Sequence, residues 1–274
     1  MSRLFCGSKE IDLSSPVVMG ILNLTPDSFF DGGSFQNPDA QLLQVEKMLT
    51  EGATFIDIGA VSTRPGAPMV DEQQELERII PSVKAIVKHF PECTISVDTF
   101  RPNVAAAVAG EGASIINDIY GGRFADEMFE TIASLKVPYI LMHMKGTPAD
   151  MQKNPTYQDV LAEVTYFFEN QLAHCHAKGV RQVILDPGFG FGKTVEQNFT
   201  LLDQLDKLKN LGFPILVGIS RKSMINKSLN IKSTQALNGT TVLNTIALLR
   251  GADILRVHDV KEAVEAIRLV KMLV

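Results

Sequence analysis

Cysteine is scarce in this chain, and what there is has no pattern. Cys6, Cys93 and Cys175 form no C-x-x-C pair and leave one thiol over. That points away from a disulfide framework and toward a reducing compartment. Long apolar runs are also missing: no stretch approaches the roughly 18 uninterrupted apolar residues of a membrane-spanning helix. The first fifteen residues lack the apolar segment that a secretory leader carries. The expected location is the cytoplasm, with no membrane partner. Basic runs are absent, and the net charge is −5, from 26 Lys and Arg against 31 Asp and Glu. A nucleic acid as main partner is excluded, because backbone phosphates demand a basic footprint. Any anion site must be a local concentration of positive groups.

Several catalytic signatures are missing too. There is no G-x-S-x-G and no evident nucleophile–base pair. Residues 188–194, GFGFGKT, look like a phosphate loop, but position 187, where the first glycine must stand, is Pro187. His174 and His176 are two residues apart on a predicted helix, so they do not face one ion together. His89 closes another helix, where a solvated role is the simpler reading. Cys93 precedes a strand rather than following one, which speaks against a catalytic thiol.

What is present is a repeated alternation. Short apolar runs recur at 17–22, 54–58, 94–97, 114–116, 138–142, 182–185, 214–217 and 253–257. They are short, β-branched and barely alternating, as buried parallel strands are. Amphipathic helical patterns separate them. One follows Asn37-Pro38 with Leu42, Leu43, Val45, Met48 and Leu49, and Gly52 stands beyond it. Others carry Leu76, Ile79, Ile80, Val83 and Val87, and a third is predicted over 156–178 and closed by Gly179. The last starts at Asp259. Eight strand–helix units within 274 residues, without a linker or a dinucleotide glycine fingerprint, predict an α/β fold. Its form is a (β/α)8 TIM barrel, one domain over residues 1–274.

In such a barrel the chemistry lies after the strands. Here all eight strand ends carry a polar or ionisable group, and the stretches before the strands are blander. Asp98, Asn117, Asp186 and Lys222 form a set of donors and acceptors suited to a planar heterocycle rich in N–H and carbonyl groups. Asn23, Thr63, Arg64, Arg256 and His258 form a second set, suited to phosphate or pyrophosphate. Arg256 and His258, two apart on a strand, share a face, as do Ser220 and Lys222. A lone Asp after a barrel strand often does no more than cap the next helix. Four heterocycle-type residues on four strands make that reading much weaker. Asp118 and Asp259 read as turn or cap residues.

At these strand ends the sequence resembles the dihydropteroate synthases. The matching segments are MGILNLTPDSFFDGG (19–33), STRPGA (62–67), SVDTFRP (96–102), INDIYGG (116–122), LMHMKGTP (141–148), LDPGFGFGK (185–193), GISRKSMI (218–225) and RVHDVKE (256–262). Together they are highly specific and span nearly the whole chain. One position departs: Val61 stands where much of the family has an acidic residue. The resemblance implies that 6-hydroxymethyl-7,8-dihydropterin pyrophosphate loses pyrophosphate to the amine of 4-aminobenzoate, giving the folate precursor 7,8-dihydropteroate. By matching positions, Asp98, Asn117, Asp186 and Lys222 would hold the pterin, with Met142 and Phe191 in apolar contact. Asn23 would bind Mg²⁺ with the pyrophosphate, and Arg64, Arg256 and His258 would hold the phosphates. Thr63, Pro65 and Ser220 would border the aminobenzoate pocket. The catalytic set is then Asp98, Lys222, Arg256 and His258. Sulfonamides would compete with 4-aminobenzoate, and a homodimer is expected. A neutral aromatic amine needs no strong base, so a dissociative, SN1-like substitution is expected. In it Asp98 faces a pterin cation, and the first two loops close over the site. Three other readings remain: a pterin-binding methyltransferase barrel with a corrinoid partner, an aldolase using Lys222 as a Schiff-base amine, and a pterin-binding module without turnover.

Overall fold

The computed structural model describes residues 3–24, 37–61 and 70–273. A short hairpin comes first, β1 (Arg3–Cys6) and β2 (Lys9–Asp12). Eight parallel strands follow: β3 (Val17–Asn23), β4 (Phe55–Gly59), β5 (Thr94–Asp98), β6 (Ile115–Asp118), β7 (Tyr139–Met142), β8 (Val183–Asp186), β9 (Leu216–Val217) and β10 (Ile254–Val257). They pair in the order β8-β7-β6-β5-β4-β3-β10-β9. A parallel bridge between Leu185 and Ile215 joins the two ends of that sheet, so the ring closes. The helices between are α1 (Pro38–Thr50), α2 (Glu72–His89), α3 (Pro102–Gly110), α4 (Met128–Leu135), α5 (Val160–Lys178), α6 (Val195–Asp203), α7 (Ser223–Leu229), α8 (Leu237–Leu249) and α9 (Val260–Val270). This is the (β/α)8 barrel that the alternation predicts.

The local signals act where the sequence places them. The Asn37 side chain accepts from the Asp39 N–H at 2.9 Å and so caps α1. Gly52 and Gly179, past the ends of α1 and α5, take φ of 102° and 88°. Helix α5 corrects the sequence reading, for it starts at Val160 and not at 156. The Asp159 side chain caps it by accepting from the Ala162 N–H at 3.0 Å. Tyr157, inside the predicted range, lies before the helix and sends its hydroxyl to the Gly192 carbonyl at 2.9 Å.

The hairpin is absent from the sequence reading. Its strands are four residues each and joined by Gly7-Ser8, with Gly7 at φ 63°. That is the first central position of a II′ turn, where glycine carries no steric cost. Leu4, Cys6 and Leu13 are buried against Met19, Phe55, Ile115, Ile140, Ile184, Leu216 and Ile254. The hairpin therefore floors the barrel at the N-terminal ends of the strands. Gln182, just before β8, holds it by donating to the Phe5 carbonyl and accepting the Phe5 N–H.

Above that floor the strands alternate with period two. Two residues beyond the apolar layer come Ile21, Asp57, Asn117, Met142, Asp186, Gly218 and Arg256, and Asp98 stands level with Asn117 on β5. On five of the eight strands a polar group, Asp57, Asp98, Asn117, Asp186 or Arg256, thus stands in this layer, while Ile21 and Met142 stay apolar and Gly218 leaves space.

Candidate active site

One cavity of about 850 Å³ opens at the C-terminal ends of the strands. That volume lies within the usual range for small-molecule sites. Its wall includes Asn23, Asp98, Asn117, Met142, Asp186, Phe191, Ser220, Lys222, Arg256 and His258. Ten of the residues singled out in the sequence are therefore brought together. Thr63, Arg64 and Pro65, and the two loops expected to close over the site, lie outside the described residues. Val61, the departing position, is on the cavity wall. Sheet register explains the convergence. Asn23 stands beside Gly59, Gly59 beside Asp98, Asp98 beside Asn117, and Met142 beside Asp186.

The sequence reading missed the residue that organises this floor. Asp57 is fully buried in β4. Its carboxylate accepts from Arg256 Nε at 2.7 Å, Ser96 Oγ at 2.6 Å and Asn117 Nδ2 at 3.1 Å, and Arg256 Nη2 lies at 2.6 Å. A carboxylate inside an apolar strand is costly unless it is paired and hydrogen-bonded, and this one is both. The signal was there: Asp57 is the lone ionisable residue in Phe55-Ile56-Asp57-Ile58-Gly59. It sits two residues before the strand end, and position at a strand end therefore does not reveal it.

Asp57 and Asp98 both claim Arg256, whose Nη2 is 3.7 Å from Asp98 Oδ2. Burial first, and then the charge of Asp57, push the Asp98 carboxyl well above the ordinary carboxylate range, and Arg256 opposes them. Asp186 is also raised by burial, against the pull of Lys222 and the Gly188 N–H that it accepts at 2.8 Å. Lys222 is lowered to about 8 by burial, with Asp186 resisting. Its ammonium donates to the Phe189 carbonyl at 2.6 Å and stands 4.6 Å over the Phe191 ring.

His258 is lowered to about 4, by burial first and then by Arg256, so at neutral pH the ring is uncharged. Its Nδ1 is 3.0 Å from Ser220 Oγ, and that oxygen already accepts the His258 backbone N–H at 3.2 Å. The hydroxyl proton is then best placed on Nδ1, which leaves the ring hydrogen on Nε2. Asp118 is the turn residue expected, whereas Asp259 stands at the N-cap position of α9 without making a cap bond. Asp118 is buried and accepts from Tyr120 N, Gly122 N and the Tyr139 hydroxyl. Asp259 forms a two-pronged pair with Arg221 at 2.9 and 2.7 Å. Burial raises the Cys93 thiol to about 12, as an inert cysteine requires. Among the described residues no helix is long and apolar enough to cross a membrane.

What can such a floor do? Asn117 spends an amide N–H on Asp57, and its buried Oδ1 has no hydrogen-bond partner among the described residues. A buried acceptor left unpaired costs about 1–3 kcal/mol. A ligand N–H arriving there removes that cost, and with Asp186 accepting and Lys222 donating nearby the floor matches a polar heterocycle. Gly59 leaves room beside it. A Cβ at that position would stand 3.8 Å from both Asn23 Oδ1 and Asp98 Oδ2, so the two oxygens border one open corner.

Comparison with known proteins agrees with this geometry. Residues 19–258 match the family model described as pterin binding enzyme. The chain is 47% identical over 273 residues to a dihydropteroate synthase of Escherichia coli K12, covering 98% of this chain and 95% of that one. A crystal structure of the Yersinia pestis dihydropteroate synthase with a sulfonamide drug superposes with a TM-score of 0.96 at 44% identity, covering 99% and 98% of the two chains. The Xanthomonas albilineans dihydropteroate synthase in complex with 7,8-dihydropteroate superposes at 0.88 with 34% identity, covering 100% and 98%.

Proposed function

The chain belongs to the dihydropteroate synthase family of pterin-binding enzymes, and on that premise we propose the reaction its floor carries out. It condenses 6-hydroxymethyl-7,8-dihydropterin pyrophosphate with 4-aminobenzoate, releasing pyrophosphate and forming 7,8-dihydropteroate. The observation that carries the substrate assignment is the orphaned Asn117 Oδ1 at the cavity floor. A pterin offers the N–H groups that Asn117 and Asp186 accept and the carbonyl and ring nitrogens to which Lys222 donates. Phe191 and Met142 border its faces. The X. albilineans complex with 7,8-dihydropteroate supports the same reading.

The bond from the methylene carbon to the pyrophosphate oxygen breaks, and the oxygen keeps the electron pair. The amine nitrogen of 4-aminobenzoate then bonds that carbon and gives up a proton. No strong base is required, because the attacking aromatic amine is already neutral. Asp98 faces the cation left on the pterin methylene once it has given up the proton that burial and Asp57 favour, so its ionisation sets the acid side of the activity. Arg256 and the Nε2–H of neutral His258 hold the departing pyrophosphate, where charge develops. Ser220 borders the aminobenzoate end, with Thr63, Arg64 and Pro65 assigned by sequence alone. The residues fit Mg²⁺ as well. A hard cation that keeps several waters and takes oxygens from pyrophosphate needs little from the protein, and Asn23 Oδ1 at the open corner supplies one such oxygen. Held by Asn23 and the pyrophosphate, Mg²⁺ would neutralise charge on the leaving group. Sulfonamides compete at the aminobenzoate end, a reading supported by the drug complex of the Y. pestis relative. A homodimer fits the apolar side chains that α6, α7 and α8 expose together, Phe199, Leu229, Val242, Ile246 and Leu249. The cytoplasm is the proposed location, where the reduced thiols are at home.

The test is pyrophosphate release by purified protein, omitting pterin substrate, 4-aminobenzoate or Mg²⁺ in turn. Release that requires 4-aminobenzoate, with dihydropteroate in equal amount, is the expected result. Pterin binding without release would instead favour the module or the methyltransferase. Deuterium on the methylene tests the dissociative path in the same assay, and an effect near unity with chemistry limiting would count against it. The pH profile tests Lys222. Its proton is lost as pH rises through about 8. Because kcat/KM reports the free enzyme, its value for the pterin substrate is expected to fall above that pH. His258, neutral throughout, adds no limb between about 5 and 7. A profile flat to pH 10 would remove Lys222 from the pterin site.

A further inference from the structure

Lys193 ends the glycine-rich turn between β8 and α6, and no role in the reaction has been given to it. The residue is 3% exposed. All three ammonium protons have inward partners: His143 Nδ1 at 2.9 Å, the Gly188 carbonyl at 3.0 Å and the Phe191 carbonyl at 3.2 Å. The turn it grips fits closely against the end of β7. A Cβ on Gly188 would come within 1.8 Å of the His143 carbonyl, and one on Gly192 within 2.2 Å of the Lys145 carbonyl. From this one turn the site takes the Phe191 ring, the Phe189 carbonyl that holds Lys222, and the Gly188 N–H that holds Asp186.

We propose that Lys193 is a positioning residue for the pterin site, its ammonium pinning the β8–α6 turn so that Phe191, the Phe189 carbonyl and the Gly188 N–H meet the ligand, Lys222 and Asp186. The inference rests on the pterin reading of the cavity. The charged and titratable groups around Lys193 agree with it. Asp186 on β8 attracts the ammonium, Lys222 before α7 repels it, and His143 on the β7 side accepts from it. His143 is kept neutral by burial first, then by Lys193, Arg123 and Lys145, so its Nδ1 is an acceptor. In return Lys193 helps to keep Asp186 ionised. Burial brings Lys193 itself down to about 7. Raising the pH through that value removes a donor and a charge, which loosens the turn before Lys222 titrates.

The experiment compares wild type with K193M and K193R in steady-state assays of both substrates. It adds calorimetry with 6-hydroxymethylpterin from pH 6 to 9. K193M is expected to raise KM for the pterin substrate about tenfold or more, as the loss of charged hydrogen bonds predicts. KM for 4-aminobenzoate should stay within about twofold on the same argument. K193R, which keeps the charge, should recover much of the loss. Pterin affinity of the wild type should begin to decline between pH 6 and 7, and K193M should lose that early part and keep only the fall through about 8 that Lys222 gives. A pterin KM unchanged in K193M, or equal rises for both substrates, overturns the proposal. If K193M does not fold, H143A carries the test by removing one of the three acceptors. The same selective rise, smaller, is expected, and an unchanged pterin KM overturns it. A wild-type enzyme that makes no dihydropteroate would defeat the pterin reading itself, whereas an active wild type beside an indifferent K193M defeats this proposal alone.

Discussion

Arg256→Ala is expected to lower turnover about 10²–10³-fold, the loss seen when one donor to a developing anion is removed. The structure adds a second consequence. Arg256 is also the cation that Asp57 and Asp98 share, at 2.6 and 3.7 Å. Without it the buried Asp57 carboxylate and the neighbouring Asp98 face each other with their shared cation gone, and removing one member of a buried pair costs about 3–5 kcal/mol. The variant should therefore be both slow and less stable. The acid side of its kcat/KM profile should move to higher pH, because Arg256 is the main influence holding the Asp98 proton affinity down. R256K separates the parts. A lysine keeps the charge but not the two-pronged geometry, so stability should recover further than turnover. Arg256→Ala with unchanged kinetics would remove this residue from the chemistry.

The barrel and most of the site rim were legible because two periodicities carry them. Apolar runs of strand length between helices of period 3.6 declare the fold. The polar groups at strand ends declare which rim is used. Period two put Arg256 with His258 and Ser220 with Lys222, and all four line the cavity. Partnership is another matter, since periodicity gives a face and not a neighbour. Asp57 lies 199 residues from Arg256, and only closure of the ring makes them partners. Lys193 was read against a phosphate-loop template and set aside, yet its use is structural and depends on His143, 50 residues away. The hairpin at 3–12 escaped because eight strand residues give too little pattern to separate from a loop. Its burial comes entirely from the barrel floor it covers. Helix α5 was extended backward because Tyr157 continues the apolar spacing, while its hydroxyl bond to Gly192 and the cap at Asp159 are tertiary and local facts that spacing does not contain.

Asp57→Asn is the second large effect expected, and its pH signature is opposite to that of Arg256→Ala. Three bonds to Asp57 are at stake: one ionic, from Arg256, and two from the uncharged donors Ser96 and Asn117. An uncharged donor on a carboxylate is worth about 1.5–3 kcal/mol, and an amide keeps one acceptor for part of that. The ionic one dominates, so the loss of stability should fall near the 3–5 kcal/mol of a broken buried pair, read from denaturant unfolding. Among the described residues Arg256 then keeps Asp98 as its ion-pair partner, with Asp186 acting at longer range. Asp57 is, after burial, the main influence raising Asp98. Its removal should bring Asp98 down toward the ordinary carboxylate range. The active form is the carboxylate, so the acid-side loss of kcat/KM should shift to lower pH in Asp57→Asn, whereas in Arg256→Ala it shifts up. Asn117 also loses the anchor of its amide, so KM for the pterin substrate should rise even where Asp98 is fully ionised. The double variant closes the argument. Each single change strands one buried charge, and the pair together strands neither, so the two losses of stability should sum to more than the double variant shows. Strict additivity would mean that Asp57 and Arg256 do not act on each other, and the account of the floor as one electrostatic unit would fall with it.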